Sequence, residues 1–138
     1  MNTVTAVRWM EEKMKHFRWD EIAAEQVNEK FVRKLAWDGG LMVAWMEVKQ
    51  GCLVPPHSHK NEQLTFVTRG RWRFEIGGKE MIVGPNEMVY IPPDTVHAAE
   101  ALEDLVAYDI FTPPRQDWIK GEDAYLRKAA APPGEGRT

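Results

Sequence analysis

The 138-residue sequence predicts an all-β domain, an antiparallel β-barrel or jelly roll carrying a short N-terminal helix and a C-terminal arm. Two observations carry this expectation. From about Glu29 onward, short apolar runs alternate with turn signals every several residues. Asp38-Gly39-Gly40 and Gly77-Gly78 lie between such runs, where hairpin turns are expected. Taken in chain order, residues 4–18 place Met10, Met14 and Phe17 on one stripe opposite Lys and Glu, the pattern of an amphipathic helix. The predicted strands are 30–37, 41–49, 64–68, 72–76, 80–83, 88–91, 96–101 and 105–111. Gln50-Gly51, Arg69-Gly70-Arg71 and Gly84-Pro85-Asn86 punctuate them, and Pro113-Pro114 stops the sheet. Residues 116–128 read as a short helix or an arm, and 129–138 as a disordered tail. The expected organisation is a helical extension (1–18), a barrel with its arm (19–128) and the tail (129–138).

Composition narrows the function. There are 18 Lys and Arg against 21 Asp and Glu, which argues against a nucleic-acid partner needing a basic stripe. The single cysteine, Cys52, excludes an intramolecular disulfide and fits a reducing cytoplasm. Residues 1–10 hold no apolar signal-peptide core, and no apolar run approaches the ~20 residues of a membrane span. A cytoplasmic protein without a membrane partner is expected. The six tryptophans are assigned mostly to the core or a dimer interface.

The chemistry-bearing pattern is His57-Ser58-His59, Gln63 and, after Ile91-Pro92-Pro93-Asp94, His97. Three imidazoles and an amide oxygen from two strand-like segments suit one divalent transition metal, and the pattern does not choose among Ni, Zn, Mn and Fe. Residues two apart on a strand share a face, so His57 and His59 point the same way. Gln63 keeps that parity and Glu62 does not. An amide ligand leaves the metal charge uncancelled, which makes the ion a stronger Lewis acid and favours polarisation chemistry.

These residues resemble the two motifs of the cupin superfamily. The first motif reads Gly51, five residues, His57-Ser58-His59, three residues, Gln63, six residues and Gly70, with Gln63 where the family usually has glutamate. The second reads Asn86, Pro92, Asp94, His97 and Ala101. Asn86 and Asp94 replace glycines there, a mild change because both types tolerate left-handed backbone. Ala101 replaces an asparagine.

The stretch Asp109-Ile110-Phe111-Thr112-Pro113-Pro114-Arg115 is a second constellation. Strand parity puts Asp109 and Phe111 on one face and Ile110 on the other. A carboxylate inside an apolar strand needs a partner if buried. Arg115 is the candidate, and a structural Asp–Arg pair and a catalytic one are both open on the residues alone. Together with the metal motif and Asp123-Ala124-Tyr125-Leu126-Arg127, this stretch is similar to the pectin-degradation (KdgF-type) cupins from about Trp19 to Arg127. The resemblance implies a metal held by His57, His59, Gln63 and His97, with Asp109, Phe111 and Arg115 at the active site. It further implies ring opening and tautomerisation of 4,5-unsaturated monouronates to linear keto sugars. Asp109 then serves as acid/base, Arg115 as a bidentate clamp on the uronate carboxylate and Phe111 as a packing wall. The expected ligand is a small anionic sugar-like molecule, and a homodimer is expected. The competing readings are a three-histidine non-haem iron dioxygenase and a non-enzymatic cupin that binds a sugar or small anion.

Overall fold

A computed structural model describes residues 13–128. After a single 3-10 turn at Trp19–Glu21, the described chain forms β1 (Glu25–Asn28), β2 (Phe31–Asp38), β3 (Leu41–Val48), β4 (Leu53–His57), β5 (Glu62–Arg69), β6 (Trp72–Ile76), β7 (Lys79–Val83), β8 (Glu87–Ile91), β9 (His97–Ala101) and β10 (Leu105–Thr112). Two short helices follow, α1 (Gln116–Ile119) and α2 (Ala124–Lys128). A six-stranded sheet runs in the order β1-β2-β3-β10-β5-β8 and a four-stranded sheet in the order β4-β9-β6-β7. Every pairing is antiparallel. The two inner faces meet to form the core, as in a jelly roll.

The strand period decides what the core contains. On β3, Met42, Ala44, Met46 and Val48 are buried, and on β10 Leu105, Ala107, Asp109 and Phe111 are. Trp72 and Phe74 of β6 and Ala99 and Ala101 of β9 close the core from the small sheet. The alternation is that of sheets with one face buried and one turned outward. Of the tryptophans at 19, 37, 45, 72 and 118, Trp72 and Trp118 are buried in the core, and the other three are not core residues. Trp45 belongs to the outward parity of β3, whereas Trp37 shares the parity of the buried Phe31 and Arg33 but lies at the exposed end of β2.

Gly70 has φ +80°, and a Cβ there would stand 2.4 Å from the Asp104 carbonyl and 2.6 Å from the Leu105 Cβ. The β5–β6 turn therefore admits only glycine without moving the start of β10. Asn86 (φ 65°) and Asp94 (φ 58°) occupy the left-handed region, as their places in the second motif require.

Sequence reading missed β1 and did not delimit β4, whose Val-Pro-Pro stretch looks like a breaker rather than a strand. Here the prolines sit where the β4–β9 ladder is interrupted between Val54 and His57, so they forfeit no regular pairing. The helix expected over 4–18 falls largely outside the described residues, and residues 14–18 carry no regular secondary structure. Residues 129–138 also lie outside them.

Beyond β10 the chain folds back over one end of the sandwich. Leu126 and Trp118 are buried, and Asn28 donates from its amide to the Leu126 carbonyl at 2.9 Å. Beneath this arm Arg33, fully buried, faces Asp123 Oδ2 at 2.6 Å, Glu25 at 2.8 Å and the Trp118 ring at 4.5 Å. Arg127 donates to Asp123 at 2.8 Å and to Glu25 at 2.5 Å. Burial pushes the Glu25 carboxyl up, but hydrogen bonds from Arg127 and Arg33 outweigh this and hold it below its ordinary value. Buried ion pairs add little net stability yet are costly to break. This one fixes where the arm sits.

Candidate metal centre and adjoining site

His57 is the last residue of β4 and His97 the first of β9, and the two pair across the small sheet. His59 lies in the crossing from the small sheet to the large one, and Gln63 is the second residue of β5. The parity expected from His57 to Gln63 therefore does not run along one strand. The four residues converge because the chain changes sheets between them, while Gln63 owes its inward aim to the buried parity of β5 that it shares with Thr65 and Val67.

The ligand atoms of the three histidines lie within 4.8 Å of one another. Ring centroids are 4.2 Å apart for His57 and His97, 5.0 Å for His59 and His97, and 5.6 Å for His57 and His59. Each Nδ1 faces a backbone carbonyl: His57 that of Pro55 at 2.8 Å, His59 that of Asn61 at 3.1 Å, and His97 that of Thr95 at 2.8 Å. A carbonyl only accepts, so each Nδ1 carries the proton and each Nε2 presents a lone pair. This is the outer-shell anchoring that metal-ligating imidazoles use. Burial pushes His57 and His59 down to about 4 and lowers His97 as well, keeping all three neutral at physiological pH.

Two observations show that these residues fit a metal ion. The Nε2 of His97 is buried with no hydrogen-bond partner among the described residues. Gln63 Oε1 stands 3.0 Å from His59 Nε2, although both atoms are acceptors in this tautomer. The amide orientation is set from behind, because Gln63 Nε2 donates to Thr65 Oγ1 at 3.0 Å and to Asp109 Oδ1 at 3.3 Å. Facing lone pairs repel, and a shared cation turns that arrangement into an attractive one. Three imidazole nitrogens and one neutral oxygen make a borderline donor set that accepts several first-row metals.

Asp109 and Phe111 share the inward face of β10, as parity predicts. Asp109 is buried, and its Oδ1 accepts from Thr65 Oγ1 at 2.6 Å as well as from Gln63. Burial pushes its carboxyl up to about 6, against the pull of the Thr65 hydrogen bond and the Arg115 charge. Phe111 meets His59 edge-on at 5.8 Å and Trp118 at 5.1 Å.

Arg115 is buried, but it is not the hydrogen-bond partner of Asp109. Its Nε and Nη2 donate to the two carboxylate oxygens of Asp117 at 3.0 and 2.8 Å, and Nη2 also donates to the Tyr125 hydroxyl at 2.9 Å. Asp117 wins because it lies two residues along at the start of α1, whereas Asp109 is already satisfied by Thr65 and Gln63. The guanidinium lies 5.2 Å from the Phe111 ring and 4.9 Å from the Trp118 ring. Thr65, Asp117, Trp118 and Tyr125 were absent from the residues expected at the site. Strand parity with Gln63 was a signal for Thr65, whereas no sequence period links the arm residues to the histidines.

These groups surround a cavity of about 30 Å³, lined among others by His57, Gln63, His97, Asp109, Arg115 and Tyr125. That is room for roughly one water. Trp72 also lines it and offers a buried indole N–H without a partner among the described residues. A larger groove of about 370 Å³ lies along the small sheet, with Arg73, Glu75, Glu80 and Glu100 among its lining residues. It contains none of the candidate ligands, so the chemistry belongs to the smaller space.

Comparison with known proteins agrees with this geometry. The family model described as "Cupin domain" matches residues 44–111. An uncharacterised protein of Streptomyces coelicolor is 27% identical over 103 residues, covering 73% of this chain and 98% of that one. The structure of KdgF from a Halomonas species superposes with a TM-score of 0.72 at 28% identity, over 77% of this chain and 99% of its own. An RmlC-like cupin from Shewanella frigidimarina gives 0.71 at 20% identity, over 76% and 96% of the two chains. Bacillus subtilis oxalate decarboxylase, with Mn(II) centres, gives 0.62 at 20% identity over 75% of this chain and 33% of its own, a likeness of fold alone. With two antiparallel sheets and these matches, this chain has the fold of a small cupin and resembles KdgF, and its three-histidine cluster can hold a metal ion.

Proposed function

We propose that this cupin is a metal-dependent enzyme that opens and tautomerises 4,5-unsaturated monouronates, the products of pectate or alginate lyases, to linear keto sugars. The observation that carries the reading is the placement of the Asp109 carboxylate, which accepts from the Gln63 amide whose Oε1 stands 3.0 Å from His59 Nε2. His57, His59 and His97 would hold the metal through Nε2 and Gln63 through Oε1. When bound, the ion supplies positive charge that polarises a substrate oxygen and stabilises developing negative charge.

The remaining work falls to side chains. Asp109 Oδ1 is taken by Thr65 and Gln63, whereas Oδ2 has no hydrogen-bond partner among the described residues and is left to exchange a proton. In ring opening, Oδ2 takes the proton of the hemiacetal hydroxyl as the bond between that carbon and the ring oxygen breaks. The released ring oxygen takes up a proton and becomes an enol. In ketonisation the enol oxygen loses its proton and the adjacent alkene carbon gains one, so the reaction consumes no net proton. Phe111 and Trp118 wall the site and limit water. Arg115 supplies the positive charge for the substrate carboxylate, although its Nε–Nη2 edge already grips Asp117. The cavity of about 30 Å³ is smaller than a sugar acid, so only part of such a ligand enters it with the arm as placed.

The test is the loss of conjugated double-bond absorbance from freshly generated 4,5-unsaturated galacturonate. Metal-loaded protein is compared with Asp109→Asn and with the spontaneous rate. Acceleration that disappears in the variant supports the reading. No acceleration by protein with metal confirmed bound refutes it. Dioxygen uptake with iron would then support an oxygenase, and ligand binding without turnover a binding protein.

A further inference from the structure

The family model ends at Phe111, yet the cavity wall continues into the arm with Arg115, Trp118 and Tyr125. Tyr125 touches both halves of the site. Its ring lies 4.7 Å from that of His57 at an interplanar angle of 32°. Its hydroxyl accepts from Arg115 Nη2 at 2.9 Å and from Trp118 Nε1 at 3.2 Å.

Each contact removes a specific freedom. The hydrogen bond from His57 Nδ1 to the Pro55 carbonyl fixes the ring in its own plane, and the Tyr125 ring blocks the tilt that bond leaves open. On Arg115, the donors can be counted. Nε and one Nη2 hydrogen go to Asp117, and the second Nη2 hydrogen goes to Tyr125. Either bidentate edge of a guanidinium that includes Nη2 is therefore taken, and Nη1 remains. With the arm as placed, Arg115 meets an anionic ligand end-on rather than as a fork.

The helix that carries Tyr125 is five residues long, too short to hold itself in place. It is held from outside. Asn28 donates to the Leu126 carbonyl, Leu126 is buried, and Arg127 spans Asp123 and Glu25.

We infer that Tyr125 is a positioning residue with two separable roles: its ring seats His57 for the metal, and its hydroxyl seats Arg115 for the carboxylate end of the ligand. This inference rests on the metal-dependent uronate reading and names how that site is aligned.

The experiment uses the full chain as wild type, Tyr125→Phe and Tyr125→Leu. Each is titrated with Co²⁺, followed by its visible absorption bands. Galacturonate is then titrated calorimetrically into the Co²⁺-loaded proteins. Tyr125→Phe keeps the ring, so its Co²⁺ affinity and spectrum stay those of the wild type, while galacturonate affinity falls about tenfold through loss of a hydrogen bond to a charged group. Tyr125→Leu removes both contacts, so Co²⁺ affinity falls by about tenfold or more, as for other lost outer-shell supports, and the bands shift. The phenylalanine variant thus rescues the metal role alone. Wild-type Co²⁺ affinity in Tyr125→Leu overturns the inference. So does an equal loss of Co²⁺ affinity in both variants, or galacturonate binding that Tyr125→Phe does not weaken. A wild type that takes up no Co²⁺ overturns the metal reading and this inference with it. Tight Co²⁺ binding without any galacturonate binding overturns the uronate reading and the hydroxyl role together.

Discussion

Gln63→Glu restores the acid that this position usually carries in the cupin motif, and the structure says it will harm the metal-free protein. Gln63 Nε2 donates to Thr65 at 3.0 Å and to Asp109 at 3.3 Å. A carboxylate donates neither bond and brings a second negative charge to Asp109. At that separation, with an effective dielectric near 20, two full charges repel by about 5 kcal/mol. Taking up a proton is easier. Asp109 already sits at about 6, and neutralising it at pH 7 costs about 1.4 kcal/mol per unit between its pKa and the pH. The metal-free variant therefore binds a proton between the two carboxyls, and the remaining loss is about 1–3 kcal/mol from the two forfeited hydrogen bonds and this protonation. In a domain of this size that lowers Tm by several degrees. Metal binding reverses the effect, because the ion favours the ionised ligand and expels the proton. Thermal melts with chelator and with Ni²⁺, together with calorimetry in buffers of different ionisation enthalpy, measure the Tm gap and the released proton. The expected result is a wider gap between metal-free and metal-bound forms than in the wild type, and roughly one extra proton released. A metal-free variant as stable as the wild type, with no added proton release, would refute the reasoning.

The arm and the turns yield three further expectations. Asp123→Asn leaves the fully buried Arg33 with Glu25 as its one carboxylate among the described residues, and breaking a buried pair costs about 3–5 kcal/mol. Denaturant unfolding should show that loss, whereas a surface-like cost below about 1 kcal/mol would mean that the pair is not holding the arm. Because Glu25 is held below its ordinary value, its contribution is present above the unfolded-state pKa and is lost as pH falls through the folded one. Hydrogen-exchange protection in residues 116–128, taken relative to the intrinsic rate at each pH, should fall on acidification below about pH 4.5 before that of the barrel strands, and should do so far less in Glu25→Gln; a simultaneous loss of protection everywhere counts against a separate latch. Gly70→Ala meets both a left-handed backbone and the Asp104 carbonyl, so a loss of more than about 1 kcal/mol is expected by chemical denaturation, and a neutral result would mean that the turn before β6 relaxes freely.

How much of this was legible in the sequence depends on the distance over which each signal acts. The inward faces of β3, β5 and β10 follow from the two-residue period, so Asp109 and Phe111 were placed together correctly and Ile110 apart from them. Asn86 and Asp94 stand where motif glycines were expected, and their positive φ values are a backbone property that residue type alone can announce. The histidine cluster was found through spacing, but the parity argument for it passed over the switch between sheets at residues 58–61. The pairing of Arg115 with Asp117 was missed for a different reason. The Asp109 carboxylate was matched to the next cation along the chain, Arg115, although Asp117 is closer to Arg115 in sequence, and the fold shows Asp109 already satisfied by Thr65 and Gln63. β1 was missed because Glu-Gln-Val-Asn has no apolar alternation, and it exists because β2 offers it an edge and the arm covers it.

That division bears on how the site works. All four candidate ligands and Asp109 lie within the residues that the cupin-domain model matches, and they are anchored by sheet register and backbone carbonyls. Arg115, Trp118 and Tyr125 lie beyond it, on an arm whose helices have four and five residues and whose position depends on Asn28, Arg33, Glu25, Asp123 and Arg127. A rigid barrel suits the capacity to polarise a bound oxygen, which many ligands share. An arm held by a few polar contacts suits the choice among ligands, because it carries Arg115, Trp118 and Tyr125 to the cavity that Phe111 walls from β10. Changes in the arm should therefore alter which anion is accepted before they alter whether metal is bound, with Tyr125 as the residue where the two properties meet.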